Sequence, residues 1–178
     1  DSELGESTCV SCGECVQVCP TGALMESNLL NKSNVREHYP DRSVDTLCPF
    51  CGVGCQTNVK VKGNKIISID GRDGPSNESR LCVKGRFGFD YISHPDRLLS
   101  PLIRIDSNTK SFDLKIDNSN IKDYFREASW EEALSLAAKN LKKISDQYGG
   151  KSIAGFGSAK CSNEEAYLFQ KLIRQGFV

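Results

Sequence analysis

Val59 and Val61 alternate with polar residues, and beyond Gly63-Asn64 Ile67 and Ile69 alternate again. Period two on both sides of a two-residue turn predicts a β-hairpin. "LIRID" (Leu102–Asp106) and "FDLKI" (Phe112–Ile116) predict a second strand pair around a polar loop. The period then lengthens. Leu134, Ala137, Ala138, Leu141, Ile144 and Tyr148 share one face of a helix. Ser129 with Glu132 forms a capping box at its start, and Gly149-Gly150 ends it. "KSIAGFG", from Lys151, reads as a short buried strand. Ser162 with Glu165 caps a second helix that turns Ala166, Phe169, Leu172 and Ile173 inward. Helix, strand, helix predicts the start of an α/β domain of doubly wound type. Asn31–Thr46 shows neither period and reads as a linker.

Composition changes the picture through cysteine. The chain has 178 residues, nine of them cysteine, with 38% hydrophobic residues. So low an apolar content suits small modules built around something other than a large core. Eight cysteines fall in two tight spacings, and no secretory leader is visible, which favours metal ligation in a reducing, cytoplasmic compartment over disulfides. No run of about eighteen apolar residues predicts a membrane span. The 23 acidic and 23 basic residues argue against nucleic acid as a partner. Locally the balance breaks: residues 1–33 carry five acids and one base, and residues 34–105 eleven bases and eight acids. Docking between redox partners, an anionic cofactor or plain solvated surface each fit that pattern. The chain lacks an initial methionine and stops at "QKLIRQGFV", so it reads as a piece of a larger polypeptide.

Cys9, Cys12, Cys15 and Cys19-Pro20 follow the bacterial ferredoxin spacing for a 4Fe-4S cluster. Three thiolates two residues apart can wrap one face of a cubane, while Ser11, Gly13 and Gly22 let backbone amides reach the sulfurs. Zinc sites more often pair two C-x-x-C knuckles. In two-cluster ferredoxins the fourth cysteine ligates the other cluster. Cys19 then serves a cluster whose other ligands precede the chain; in a single-cluster domain all four share one. Both arrangements stay open. Cys48, Cys51 and Cys55 form a second run, and the hairpin can return the chain so that Cys82 closes the site. Taken alone, that spacing admits zinc.

"LCPFCGVGC" and "GRDGPSNESRLCVKGRFGFDYISHPDRLLSPLIR", with "ASWEEAL" and "GFGSAKCSNEEAYLFQKL" downstream, resemble the corresponding segment of molybdenum- or tungsten-dependent formate dehydrogenases. These enzymes carry two pyranopterin guanine dinucleotides. The resemblance implies an α+β chain in three parts: half of a ferredoxin-like 4Fe-4S domain (1–33), a linker (34–44) and a small β-rich 4Fe-4S domain (45–105), then the start of an α/β molybdopterin-binding domain (106–178). It implies two 4Fe-4S clusters, and a molybdenum or tungsten bis(molybdopterin guanine dinucleotide) in the full-length protein. Lys84 is placed between cluster and pterin as an electron relay, where an ammonium can bond to both. Arg86 is a candidate cofactor-binding residue or a surface ion pair. Electrons from formate are expected to pass the pterin, Lys84 and the two clusters to NAD/flavin- or ferredoxin-type subunits, the other partner being the remainder of the subunit. Another molybdopterin oxidoreductase, nitrate reductase-like, or a molybdenum-free NADH dehydrogenase-like protein is the alternative. No catalytic residue is expected in this chain: the family's catalytic cysteine or selenocysteine precedes histidine, whereas Cys161 precedes Ser162. Alone, the chain is expected to be inactive. Cys161, His38 and His94 read as ordinary loop residues, and "GFGS" as a weak phosphate contact.

Overall fold

The computed structural model describes residues 6–105 and 113–177. It divides into two units, residues 1–93 with 157–168, and residues 94–156 with 169–178. Helices and small sheets are mixed, as an α+β class requires.

In the first unit, α1 (Glu14–Val18) follows Gly13. β1 (Arg42–Leu47), β2 (Gln56–Lys62) and β3 (Lys65–Gly71) form an antiparallel sheet in that order. Gly63, at φ +58°, supplies the left-handed turn that a two-residue hairpin needs. The predicted hairpin is therefore present, with one correction of phase. The register shifts between Lys60 and Val61, so that Lys60 faces Ser68 but Val61 faces Ile66. Ile67 is the extra residue of this bulge. Ile66 and Ile69, rather than Ile67 and Ile69, reach the core formed by Val59, Val61, Leu81 and Phe89. A second correction concerns the segment read as a linker. Its end is β1, and all six of its residues are exposed, so no alternation marked it.

Beyond β3 the chain returns to α2 (Val83–Phe87) through a loop knotted by Asn77. The two Asn77 amide hydrogens are shared among the carbonyls of Gln56, Arg72 and Arg80, each 3.1 Å from Nδ2, and its Oδ1 accepts from Gln56 N at 2.9 Å. One buried side chain thus satisfies four backbone groups and delivers Cys82 to the end of the sheet.

In the second unit, β4 (Leu102–Arg104) pairs with β5 (Phe125–Glu127), which follows the short α3 (Ile121–Tyr124). "FDLKI" was the expected partner. Phe112 and Asp106 lie outside the described residues, and Asp113–Ile116 form no strand. Asn120 explains why: its amide donates to Lys115 O at 3.0 Å and its Oδ1 accepts from Asp117 N at 2.9 Å, occupying backbone groups near those a ladder needs.

α4 (Trp130–Tyr148) starts as expected, with Ser129 Oγ accepting from Glu132 N at 3.1 Å. The Glu132 carboxylate turns to Arg126 instead of completing the box. α5 (Asn163–Gly176) has the full reciprocal box, Glu165 N to Ser162 Oγ at 3.2 Å and Ser162 N to Glu165 Oε2 at 2.7 Å. "KSIAGFG" is not a buried strand. Gly150–Ser152 make a 3-10 turn, and Phe156 is 95% exposed. A lone strand leaves its backbone polar groups open, and among the described residues no strand runs beside it. The helix–strand–helix start of a doubly wound domain is therefore not what these residues form. Of the four α5 residues expected inward only Ile173 is half-buried, over Gly155, where a Cβ would sit 2.6 Å from its Cγ1.

Asn77→Ala is expected to lower the unfolding free energy by about 2–3 kcal/mol, the worth of several net hydrogen bonds. The check is a lower urea midpoint at unchanged slope; an unmoved midpoint means the return loop holds without Asn77.

Candidate metal centre

Cys9 and Cys12 lie in the loop before α1, Cys15 on its first turn and Cys19 at its C-cap. Cys9 and Cys15 are exposed, Cys12 and Cys19 half-buried. Ser11 at φ +54° and Gly13 at φ +74° bend the loop around, and Ser11 N donates to Cys9 Sγ at 3.3 Å. The Cys19 thiol is drawn down to about 7, first by the Leu24 amide, then by the Thr21 hydroxyl and amide. Amide donors aimed at a sulfur favour its thiolate, the form that binds metal.

The second run gathers around the end of β1. Cys48 is buried, Cys51 and Cys55 half-buried, and Cys82 is the exposed N-cap of α2. Cys48 N donates to Cys55 O at 2.8 Å. Burial pushes the Cys48 thiol up, and the neighbouring thiols of Cys55, Cys82 and Cys51 push it further. Cys55 is raised by burial and then by Cys51 and Cys82. Cys48 and Cys55 thus lie within electrostatic reach of the other expected ligands. Cys55 and Cys82 share an open cavity of about 410 Å³ with Pro75, Ser76 and Leu81. Asn163, at the head of α5, donates to Gly52 O at 2.9 Å and holds the loop between Cys51 and Cys55.

This donor set is all sulfur. Among the described residues no three His, Cys, Asp or Glu side chains converge on a position for one metal ion. Soft thiolates are the donors that iron–sulfur clusters take.

Lys84 and Arg86 sit two residues apart on α2 and so point to different sides. Lys84 is exposed. Arg86 is 0% exposed, which rules out the surface ion pair. It turns to the first cysteine run: Nε donates to Cys12 O at 2.9 Å, and Nη2 to Glu14 Oε1 at 2.8 Å and Gln17 Oε1 at 2.7 Å. Its nearest further carboxylate is Asp70, 4.0 Å from Nη1. Glu14 also accepts from Leu81 N at 3.1 Å, and Gln17 bridges Gly71 N and Ser79 O at 3.0 and 2.7 Å. These two residues escaped the sequence reading, although their i, i+3 spacing inside the cysteine run was a signal. Glu26 was missed as well, with no signal at all. It is 5% exposed, and its Oε2 has no hydrogen-bond partner. His94 Nδ1 accepts from Asp96 N at 3.2 Å and the Cys161 thiol donates to Ser158 O at 3.0 Å, as ordinary loop residues do.

Comparison with known proteins adds three matches. Residues 4–25 match the 4Fe-4S binding domain, residues 41–94 the molybdopterin oxidoreductase Fe4S4 domain, and residues 97–178 the molybdopterin oxidoreductase domain. The chain belongs to the molybdopterin oxidoreductase family. Its cofactors are accordingly 4Fe-4S clusters and molybdopterin. Among relatives, "Probable oxidoreductase YjgC" of Bacillus subtilis (strain 168) is 34% identical over 98% of this chain and 20% of its own length. "Putative formate dehydrogenase SH0748" of Staphylococcus haemolyticus (strain JCSC1435) is 32% identical over 99% and 20%. "NADPH-Fe(3+) oxidoreductase subunit alpha" of Geobacter sulfurreducens (strain ATCC 51573 / DSM 12127 / PCA) is 33% identical over 93% and 17%. The chain thus spans about a fifth of the length of these relatives. Among the described residues no helix is long and apolar enough to cross a membrane.

In this oxidoreductase segment the buried Glu26 sets a pH dependence. Burial first, then the Asp70 charge, push its carboxyl from 4.5 up to about 7, with Arg86 opposing. A raised carboxyl binds more protons folded than unfolded, so its contribution is full below pH 4.5 and is lost as pH rises through about 7. Thermal unfolding between those limits should show stability falling with pH, and Glu26→Gln should flatten that part of the curve. An unchanged slope in the variant assigns the dependence to other groups.

Proposed function

We propose that the chain is the electron-relay and partial cofactor-binding segment of a formate-oxidising subunit that interconverts formate and carbon dioxide. Residues 1–33 serve as part of a ferredoxin-like 4Fe-4S domain, 45–105 as the second 4Fe-4S domain, and 106–178 as the start of the pterin-binding domain, with 34–44 between. When bound, the clusters store single electrons and the pterin-held metal exchanges electron pairs with substrate. Cys48, Cys51, Cys55 and Cys82 supply one thiolate set; Cys9, Cys12 and Cys15, with Cys19 or a cysteine upstream of this segment, supply the other. The observation that carries the reading is the division of labour on α2. Arg86 is turned wholly inward, while Lys84, two residues after Cys82, stays exposed with its ammonium available to an anionic cofactor.

Formate as substrate is supported by the residues around Cys82 and by relatives whose names carry that activity. The electrons leave to NAD/flavin- or ferredoxin-type subunits in a reducing, cytoplasmic compartment. The relative named as an NADPH-Fe(3+) oxidoreductase subunit supports a second reading, in which the same segment passes electrons to or from NADPH. Formate-dependent reduction and the molybdenum or tungsten content of the full-length protein separate the two.

Anaerobically purified full-length protein is expected to be brown and to hold roughly four iron atoms per complete site. Stoichiometric zinc without iron overturns the reading. Cys82→Ser should abolish one reduced-state paramagnetic signal and spare the other, because a hard oxygen suits a thiolate site poorly. Lys84→Ala should slow cluster reduction by formate with little change in formate affinity, a charge-assisted hydrogen bond being worth roughly 1.5–3 kcal/mol. Reduction at the parent rate makes Lys84 a bystander.

A further inference from the structure

The two cysteine runs meet at one residue. Arg86 N donates to Cys82 O at 3.1 Å, one helical turn back along α2. The Nε of the same residue donates to Cys12 O at 2.9 Å. A single residue is therefore hydrogen-bonded to the backbone of an expected ligand in each run. The junction is closed to solvent and tightly packed: Arg86 is 0% exposed, and a Cβ on Gly13 would fall 2.2 Å from its Cδ. Glu14 and Gln17 then fasten α1 to residues 71–81 through Leu81 N, Gly71 N and Ser79 O.

We infer that Arg86 is the positioning residue for electron exchange between the two clusters: its guanidinium fixes the Cys12 loop relative to the Cys82 helix. The inference rests on the proposed reading that both runs carry clusters. The physical argument has two parts. A buried guanidinium that lost its partners would be strongly destabilising, so the Cys12 loop cannot lift away without breaking several charged contacts together. Electron exchange also falls steeply with separation, so a contact that fixes separation fixes rate. Lys84 is not involved in this junction and remains on the exposed side of α2.

The test uses the full-length protein with its clusters, reduced by dithionite. Arg86→Gln and Arg86→Lys are compared with the parent for iron content, for magnetic interaction between the two reduced clusters, and for the rate at which an electron placed on one reaches the other. Both variants are expected to keep the parent's iron and its individual signals. The interaction splitting should shrink or broaden, and the exchange should slow roughly tenfold or more, as small misplacements do. Lysine should restore only part, because it keeps the charge but not the planar fork that serves Cys12, Glu14 and Gln17 together. Parental splitting and rate in iron-replete variants overturn the inference. Should both variants lose iron, Gln17→Leu removes one acceptor and leaves Glu14 in place; it should shift the splitting in the same direction, and an unshifted splitting overturns the inference equally. A parent that holds zinc in place of iron defeats the underlying reading and is recognised by the metal content alone.

Discussion

Moving a guanidinium out of water costs several kcal/mol unless its donors find partners, and at Arg86 the Cys12 carbonyl, Glu14 and Gln17 serve Nε and Nη2, while Nη1 has only the Asp70 carboxylate 4.0 Å away. Much of the first unit follows from that requirement. α1 must present Glu14 and Gln17 on one side. The strand-to-helix loop must bring Gly71, Ser79 and Leu81 within reach of the same two side chains, and Asn77 holds that loop in shape. The hydrophobic cluster of Val59, Val61, Ile69, Leu81 and Phe89 lies behind it. A core this small relies on polar knots where a larger domain would rely on apolar area.

The thiols set an opposing demand. Cys48 is raised by burial and by three neighbouring thiols, so the arrangement is uncomfortable as a set of bare thiolates and comfortable around positive metal. Cys19 stands in contrast, drawn down by amides in an exposed loop. Two environments on one chain, one buried and crowded, the other open and amide-rich, are the usual means by which proteins give clusters of one type different potentials.

Local chemistry was legible in the sequence; long-range partnership was not. The Ser129 cap, the full capping box at Ser162 and the Gly63 turn depend on residues a few positions apart, and all formed. The expectation that Cys48, Cys51, Cys55 and Cys82 act together rested on spacing plus a hairpin, and the hairpin is present. The failures share a cause. "FDLKI" and "KSIAGFG" have strand composition, but a strand exists only if another strand is beside it, and composition does not name the partner. Ile67 lost its place to Ile66 through a one-residue bulge that leaves no compositional trace. The surface ion-pair alternative for Arg86 followed from the rule that charge predicts exposure; its burial depends on Glu14 and Gln17, about seventy residues away in sequence.

Gly13 shows how tightly such a junction binds the two halves of the first unit. Its backbone is left-handed, and the place where a side chain would begin is already filled by Arg86. Any replacement must adopt an unfavourable φ and displace a buried cation in the same step. The cysteine loop and the helix after Cys82 therefore form one mechanical piece, although about seventy residues of chain separate them.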